Sequence, residues 1–230
     1  LPLVYELLTD TQFPQSEIDI YVQNSKQKLS VQLLKSEFIA NRKIDEYIFG
    51  FEHPYGKYLF ATDYDAIRQE DLMAYLHKAY SSLNCKMFLA GMFTPSDKLL
   101  INQIFGSSPW NSQEIQAIPV YPLTPETEKK HRIVHDEKSV QGSIRLAAPF
   151  PPKSHPDFVP MIMLNTLFGG YFGSRLMSNI REEKGYTYGI HSMLLNQKNE
   201  SGFMITTEAG KDVCELAVEE IYKEMELLKT

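Results

Sequence analysis

The sequence predicts an α+β protein built of lobes in which helices pack on a mainly antiparallel sheet. Three observations carry the expectation. Apolar residues recur at helical spacing through the first hundred positions. Two strand-like runs then open the second half before the helices return, and a hairpin-like pair of strands and a last helix close the chain.

Leu3, Val4, Leu7 and Leu8 mark one helical face at the start, and Asp10 to Ser16 supplies turn chemistry before a polar helical stretch. Val31, Leu34, Phe38, Ile44 and Ile48 suggest one longer helix, stopped near Gly50 and followed by Glu52-His53-Pro54-Tyr55-Gly56. Leu72, Tyr75, Leu76, Ala79 and Tyr80 place an amphipathic helix over 68–80, with its aromatics expected in the core. Lys86 to Ala90, closed by Gly91, reads as a short buried strand. Pro95 at a first helical position opens a helix that ends at Gly106.

Periodicity collapses over 107–127, where Pro109, Pro119, Pro122 and Pro125 read as a linker. The expected organisation is therefore a mostly helical first lobe with one core strand over 1–106, already in mid-pattern at its first residue and so shortened at its N-terminus. The linker 107–127 follows, then a second α+β lobe over 128–230. In that lobe Arg132 to Asp136 and Ser143 to Ala148 read as strands, and Asp157 to Phe168 as an apolar helix. Ser174 is the expected N-cap of a short helix carrying Leu176, Met177, Ile180 and Arg181, with Gly185 at its C-terminal turn. Tyr186 to Leu195 and Gly202 to Glu208 form the expected hairpin, and Val213, Leu216, Ile221, Met225 and Leu228 share a face of the last helix.

Composition narrows the function classes. The net charge is −6, and Lys129-Lys130 with Arg132 is the densest basic spot, so no stripe suits a nucleic-acid backbone. No stretch nears the roughly 20 consecutive apolar residues of a membrane span, and the chain reads as soluble with its compartment unassigned. Cys85 and Cys214 lack paired spacing and are expected as free core thiols. Asn199-Glu200-Ser201 is a formal glycosylation sequon.

Catalytic motifs are scarce. A zinc hydrolase presents two histidines one helical turn apart with a third ligand, and only His131 and His135 have that spacing. The intervening Arg-Ile-Val favours a strand, which at ~3.3 Å per residue sets them roughly 13 Å apart. Gly169-Gly170-Tyr171-Phe172-Gly173 follows a helix and lacks the residues of a phosphate loop, and no nucleophile elbow is present. What stands out is Arg181 in the last turn of a helix and Tyr188 at the start of the next strand. A glycine-closed turn can bring guanidinium and phenol to one mouth. The plainer reading, that Arg181 pairs with a nearby carboxylate and Tyr188 caps the core, stays open on the residues alone.

The run SRLMSNIREEKGYTYGIHS over 174–192, preceded by Gly169-Gly170, closely resembles the second-half motif of the pitrilysin/insulinase family of zinc peptidases, which includes the mitochondrial processing peptidases. Phe13-Pro14, the helix through Ile48, His53-Pro54-Tyr55-Gly56, Asp71-Leu72 and Leu89-Ala90-Gly91 resemble that family's landmarks in the same order, so the likeness covers nearly the whole chain. It implies a metallohydrolase-like, processing-peptidase type of fold, one of two homologous halves that close like a clam shell. One half carries the zinc helix and the other lends an arginine and a tyrosine. By resemblance these are Arg181 and Tyr188, both donating hydrogen bonds to a peptide backbone near the scissile bond. The third zinc ligand of a catalytic half falls at Lys28, and an ammonium there repels Zn²⁺. The resemblance therefore implies the non-catalytic half of a zinc metalloendopeptidase, with no metal of its own and no activity alone. Zinc is expected in a homologous catalytic half or subunit, and the substrate is an unfolded peptide. The alternative is a non-enzymatic scaffold of the same fold, similar to the core proteins of respiratory complexes.

Overall fold

The computed structural model describes residues 1–111, 119–197 and 200–229. They form two units, one of Leu1–Ser30 with Leu59–Val120, the other of Val31–Tyr58 with Tyr121–Thr230. Residues 31–58 thus pack in the second unit, where the sequence pattern grouped them with the first lobe. The α+β architecture is as expected.

The helices of the first half are α1 (Pro2–Thr9), α2 (Gln15–Gln32), α3 (Ser36–Phe49), α4 (Ala61–Asp65), α5 (Gln69–Ala79) and α6 (Pro95–Phe105). The single helix expected through Val31 and Ile48 is two, because the chain turns at 33–34, and Val31 and Leu34 are exposed there. Thr94 caps α6 through a reciprocal box with Asp97, as a Thr-Pro start favours. Among the described residues of the first unit few apolar side chains are buried: Ile18, Leu29, Leu76 and Trp110. The strand expected at Lys86–Ala90 does not form. Among the described residues this unit holds no strand for it to pair with, and Phe88 is 89% exposed. For the same reason Tyr75 of α5 and Tyr80 at its C-cap lie exposed, and so does the Cys85 thiol, contrary to the expected core positions.

The second unit has a three-stranded antiparallel sheet of β1 (Gln141–Phe150), β2 (Thr187–Asn196) and β3 (Ser201–Gly210), ordered β1-β3-β2. The other expected strand, 132–136, is irregular, and just before it His131 stacks on Tyr47 with ring centroids 3.9 Å apart. One sheet face packs on α7 (Phe158–Asn165), α8 (Cys214–Leu227) and two wide helical turns at Thr166–Gly170 and Met177–Glu183. Its core is formed by Phe168, Leu176, Ile180, Ile190, Ile205 and Ile221 among others, each 3% exposed or less. On α8 the expected face holds, with Ile221 in the core and Val213, Met225 and Leu228 packed against it, while Leu216 is exposed and Ala217 and Glu224 are buried beside them.

α3 lies against the other face of β1, where Ser36 and Ser143 hydroxyls meet at 3.0 Å and Arg145 donates to Asn41 at 2.6 Å and to Glu208 at 2.8 Å. Cys214 is a free, half-buried thiol whose pKa burial pushes up. The sequon residue Asn199 lies outside the described residues, as do 112–118 of the linker. Among the described residues no helix is long and apolar enough to cross a membrane.

Candidate functional site

Arg181 and Tyr188 sit where the wide turn at Met177–Glu183 hands over to β2. The turn is a π-helix, whose i→i−5 bond from Lys184 N–H to Asn179 O, 2.9 Å long, inserts an extra residue ahead of the strand. Gly185 follows at φ +67, and the Tyr186 N–H returns to Ile180 O at 3.0 Å. This closing pattern needs a left-handed residue, which glycine adopts without a Cβ penalty. Ser174 starts this segment at the N-cap position, its carbonyl accepting from the Ser178 N–H, but its hydroxyl does not cap. The oxygen is fully buried and makes no hydrogen bond to any described residue.

Two further contacts fix the segment. Arg175 on it donates through Nε and Nη2 to the Glu224 carboxylate of α8, both at 2.9 Å, and Asn179 adds a bond at 2.8 Å. Glu224 is only 7% exposed, and these donors satisfy a carboxylate that burial otherwise disfavours. At the other end Gly169 lies so close to β2 that a Cβ there would meet Ser192 Oγ at 2.5 Å and Ser192 N at 2.8 Å.

On the strand side, β2 bulges between Thr187 and Ile190. Thr187 donates from Oγ1 to Glu208 O at 2.6 Å and accepts from the Gly189 N–H at 3.1 Å, while the buried Thr207 hydroxyl donates to Gly189 O at 2.9 Å. Two internal hydroxyls thus hold the extra residue, and a bulge re-aims its side chain. Thr187 and Ile190 point into the core and Tyr188 points out, 90% exposed.

Arg181 donates from Nε to the Tyr188 main-chain oxygen at 2.9 Å and pairs through Nη1 with Glu182. The ion pair is the partner the plainer reading anticipated, yet Tyr188 caps no core. The arginine main-chain contact holds the two residues together and leaves the phenol free in solvent. Sequence reasoning missed Phe172, whose ring lies 4.7 Å from Arg181 Cζ, and Glu224; the first sat in a glycine run set aside as a poor phosphate loop.

The residues present do not fit a zinc ion. Lys28 and Gln27 are exposed on α2, and an ammonium beside an amide is no zinc donor set. Among the described residues no three His, Cys, Asp or Glu side chains converge to hold a metal.

The family model described as the peptidase M16 inactive domain matches residues 66–230. A peptidase M16 inactive domain from Pseudomonas fluorescens superposes with a TM-score of 0.87 at 25% identity, over 98% of this chain and 55% of that one. A protease from Helicobacter pylori gives 0.80 at 19% identity, over 95% and 54%, and a conserved protein from Enterococcus faecalis gives 0.64 at 16%, over 94% and 50%; these two show the fold alone. The chain therefore spans about half the length of these structures. No curated protein sequence matches it. With the family model covering well over half of its residues, the chain belongs to the peptidase M16 inactive domains, as a non-catalytic member of that family.

Proposed function

We propose that this chain is the substrate-facing, non-catalytic half of a zinc metalloendopeptidase, which encloses an unfolded peptide and completes the site of a homologous catalytic half. The observation that carries the reading is the pairing of Arg181 with Tyr188. A guanidinium anchored by its Nε and a phenol thrown outward by a bulge are two donors presented at one end of the sheet. Donors already in place can hold a peptide carbonyl, and a developing oxyanion, without reorganising at the moment of reaction. Lys28, where the family's third zinc ligand is expected, supports placing the metal in the partner.

The test is reconstitution. The full-length protein is co-expressed with the partner that carries a zinc motif, and cleavage of an unstructured peptide is assayed with and without a chelator. The reading expects chelator-sensitive cleavage from the pair and none from this half alone. Cleavage by this half alone contradicts it, and so does no cleavage by the pair with its zinc bound, the outcome that favours a scaffold.

A further inference from the structure

We propose that Phe172 is a positioning residue for Arg181, holding the guanidinium so that its Nη2 edge faces a bound peptide; this rests on the reading that Arg181 meets the substrate. Phe172 is a large apolar side chain left 67% exposed in a unit whose other phenylalanines are all buried or half-buried, so core packing does not account for it. Its ring lies face-on to Arg181, with Cζ 4.7 Å from the centroid, inside the range of a cation–π contact.

Three contacts then define the guanidinium. The Phe172 ring covers one face, the Tyr188 carbonyl takes Nε, and Glu182 takes Nη1. Nη2 makes no hydrogen bond to any described residue. An arginine side chain is long and loses much rotamer freedom when it binds. One already held on three sides meets a carbonyl with little further ordering, and that is how preorganisation raises affinity.

The backbone explains how the ring arrives there. Gly169 lets the chain run tight against Ser192, and Tyr171 is extended at φ −151 before the chain turns, with the Ser174 N–H returning to Tyr171 O at 3.1 Å. The Tyr171 ring lies over Gly173, where a Cβ would come within 2.8 Å of it, so Tyr171 packs back onto the turn while Phe172 turns outward.

The test compares wild type with Phe172→Leu, which keeps apolar bulk without a π face, and Phe172→Trp, which keeps the face. In the full chain, the Arg181 Hδ and Nε–H resonances are expected to be shifted upfield by the ring current in wild type and Phe172→Trp, and to lose the shift in Phe172→Leu. In the assembled protein, Phe172→Leu is expected to weaken binding of an unstructured peptide roughly two- to fivefold. Phe172→Trp should restore it, and Phe172→Leu should add nothing in an Arg181→Ala background. Unshifted Arg181 resonances in wild type, or additive effects of the two substitutions, overturn the proposal. If Arg181→Ala weakens binding and Phe172→Leu does not, this proposal alone fails. If Arg181→Ala has no effect, the functional reading falls and takes this one with it.

Discussion

Arg181 donates its Nε hydrogen to the main-chain oxygen of Tyr188 at 2.9 Å, joining the end of a π-helical turn to the bulged first residues of a strand. The contact runs from side chain to backbone, so it fixes where Tyr188 sits without tying down its phenol. The helix end and the strand start are each held separately, and the site is as rigid as those two supports.

The strand support is the hydroxyl pair inside the bulge. Thr207→Val keeps the shape of the buried side chain and removes its donation to Gly189 O. Chemical denaturation is expected to show a loss of about 1–2 kcal/mol, with amide shifts of Tyr188 and Gly189 moving more than those elsewhere in the strand.

The helix support is Glu224. Removing its carboxylate in Glu224→Ala leaves Asn179 only its longer bond to Glu220 at 3.2 Å, while Arg175, whose side chain is 41% exposed, can turn to water. The expected cost is therefore about 2 kcal/mol, below that of breaking a fully buried pair. Glu224→Gln should lose about half as much, and thermal unfolding of the two variants side by side checks the order.

Gly169 lies tight against β2. Gly169→Ala drives a methyl group against the backbone of Ser192, and a loss of roughly 1–3 kcal/mol is expected from the displacement. An unchanged midpoint in denaturant would mean that the strand yields freely.

Asp45 on α3 gives a pH signature. It is half-buried without a side-chain partner among the described residues, and burial pushes its pKa up from 3.8 to about 6. The folded carboxyl therefore keeps its proton to higher pH than the unfolded one, and its contribution to stability falls as pH rises between 3.8 and about 6. Asp45→Asn removes that slope and should stabilise the protein at pH 7 by roughly 1 kcal/mol, a figure discounted from full linkage because water reaches the group. Unfolding free energies at a series of pH values measure it.

The parts of the fold written in local pattern were legible: α5, α6, the β2–β3 hairpin and the glycine stop at 185 all follow from spacing and turn chemistry. What failed depended on partners distant in sequence. Lys86–Ala90 has the composition of a strand, but composition supplies no neighbouring ladder, and the break between α2 and α3 interrupts an apolar repeat that reads as continuous. The candidate pair was visible from its glycine-closed turn. Its supports were harder to see, although Glu224 lies on one face of α8 with Ala217 and Ile221, and a carboxylate on an apolar face signals a buried partner. Phe172 carried no such signal, because a cation–π contact nine residues apart has no helical or strand period.

The most direct measurement is peptide turnover by the assembled two-half protein carrying Arg181→Ala or Tyr188→Phe in this half. The account predicts that each lowers kcat/KM by roughly 10- to 1,000-fold, as losing one preorganised donor does, while the melting temperature and the zinc content of the partner half stay unchanged. Turnover equal to wild type in both variants would contradict it.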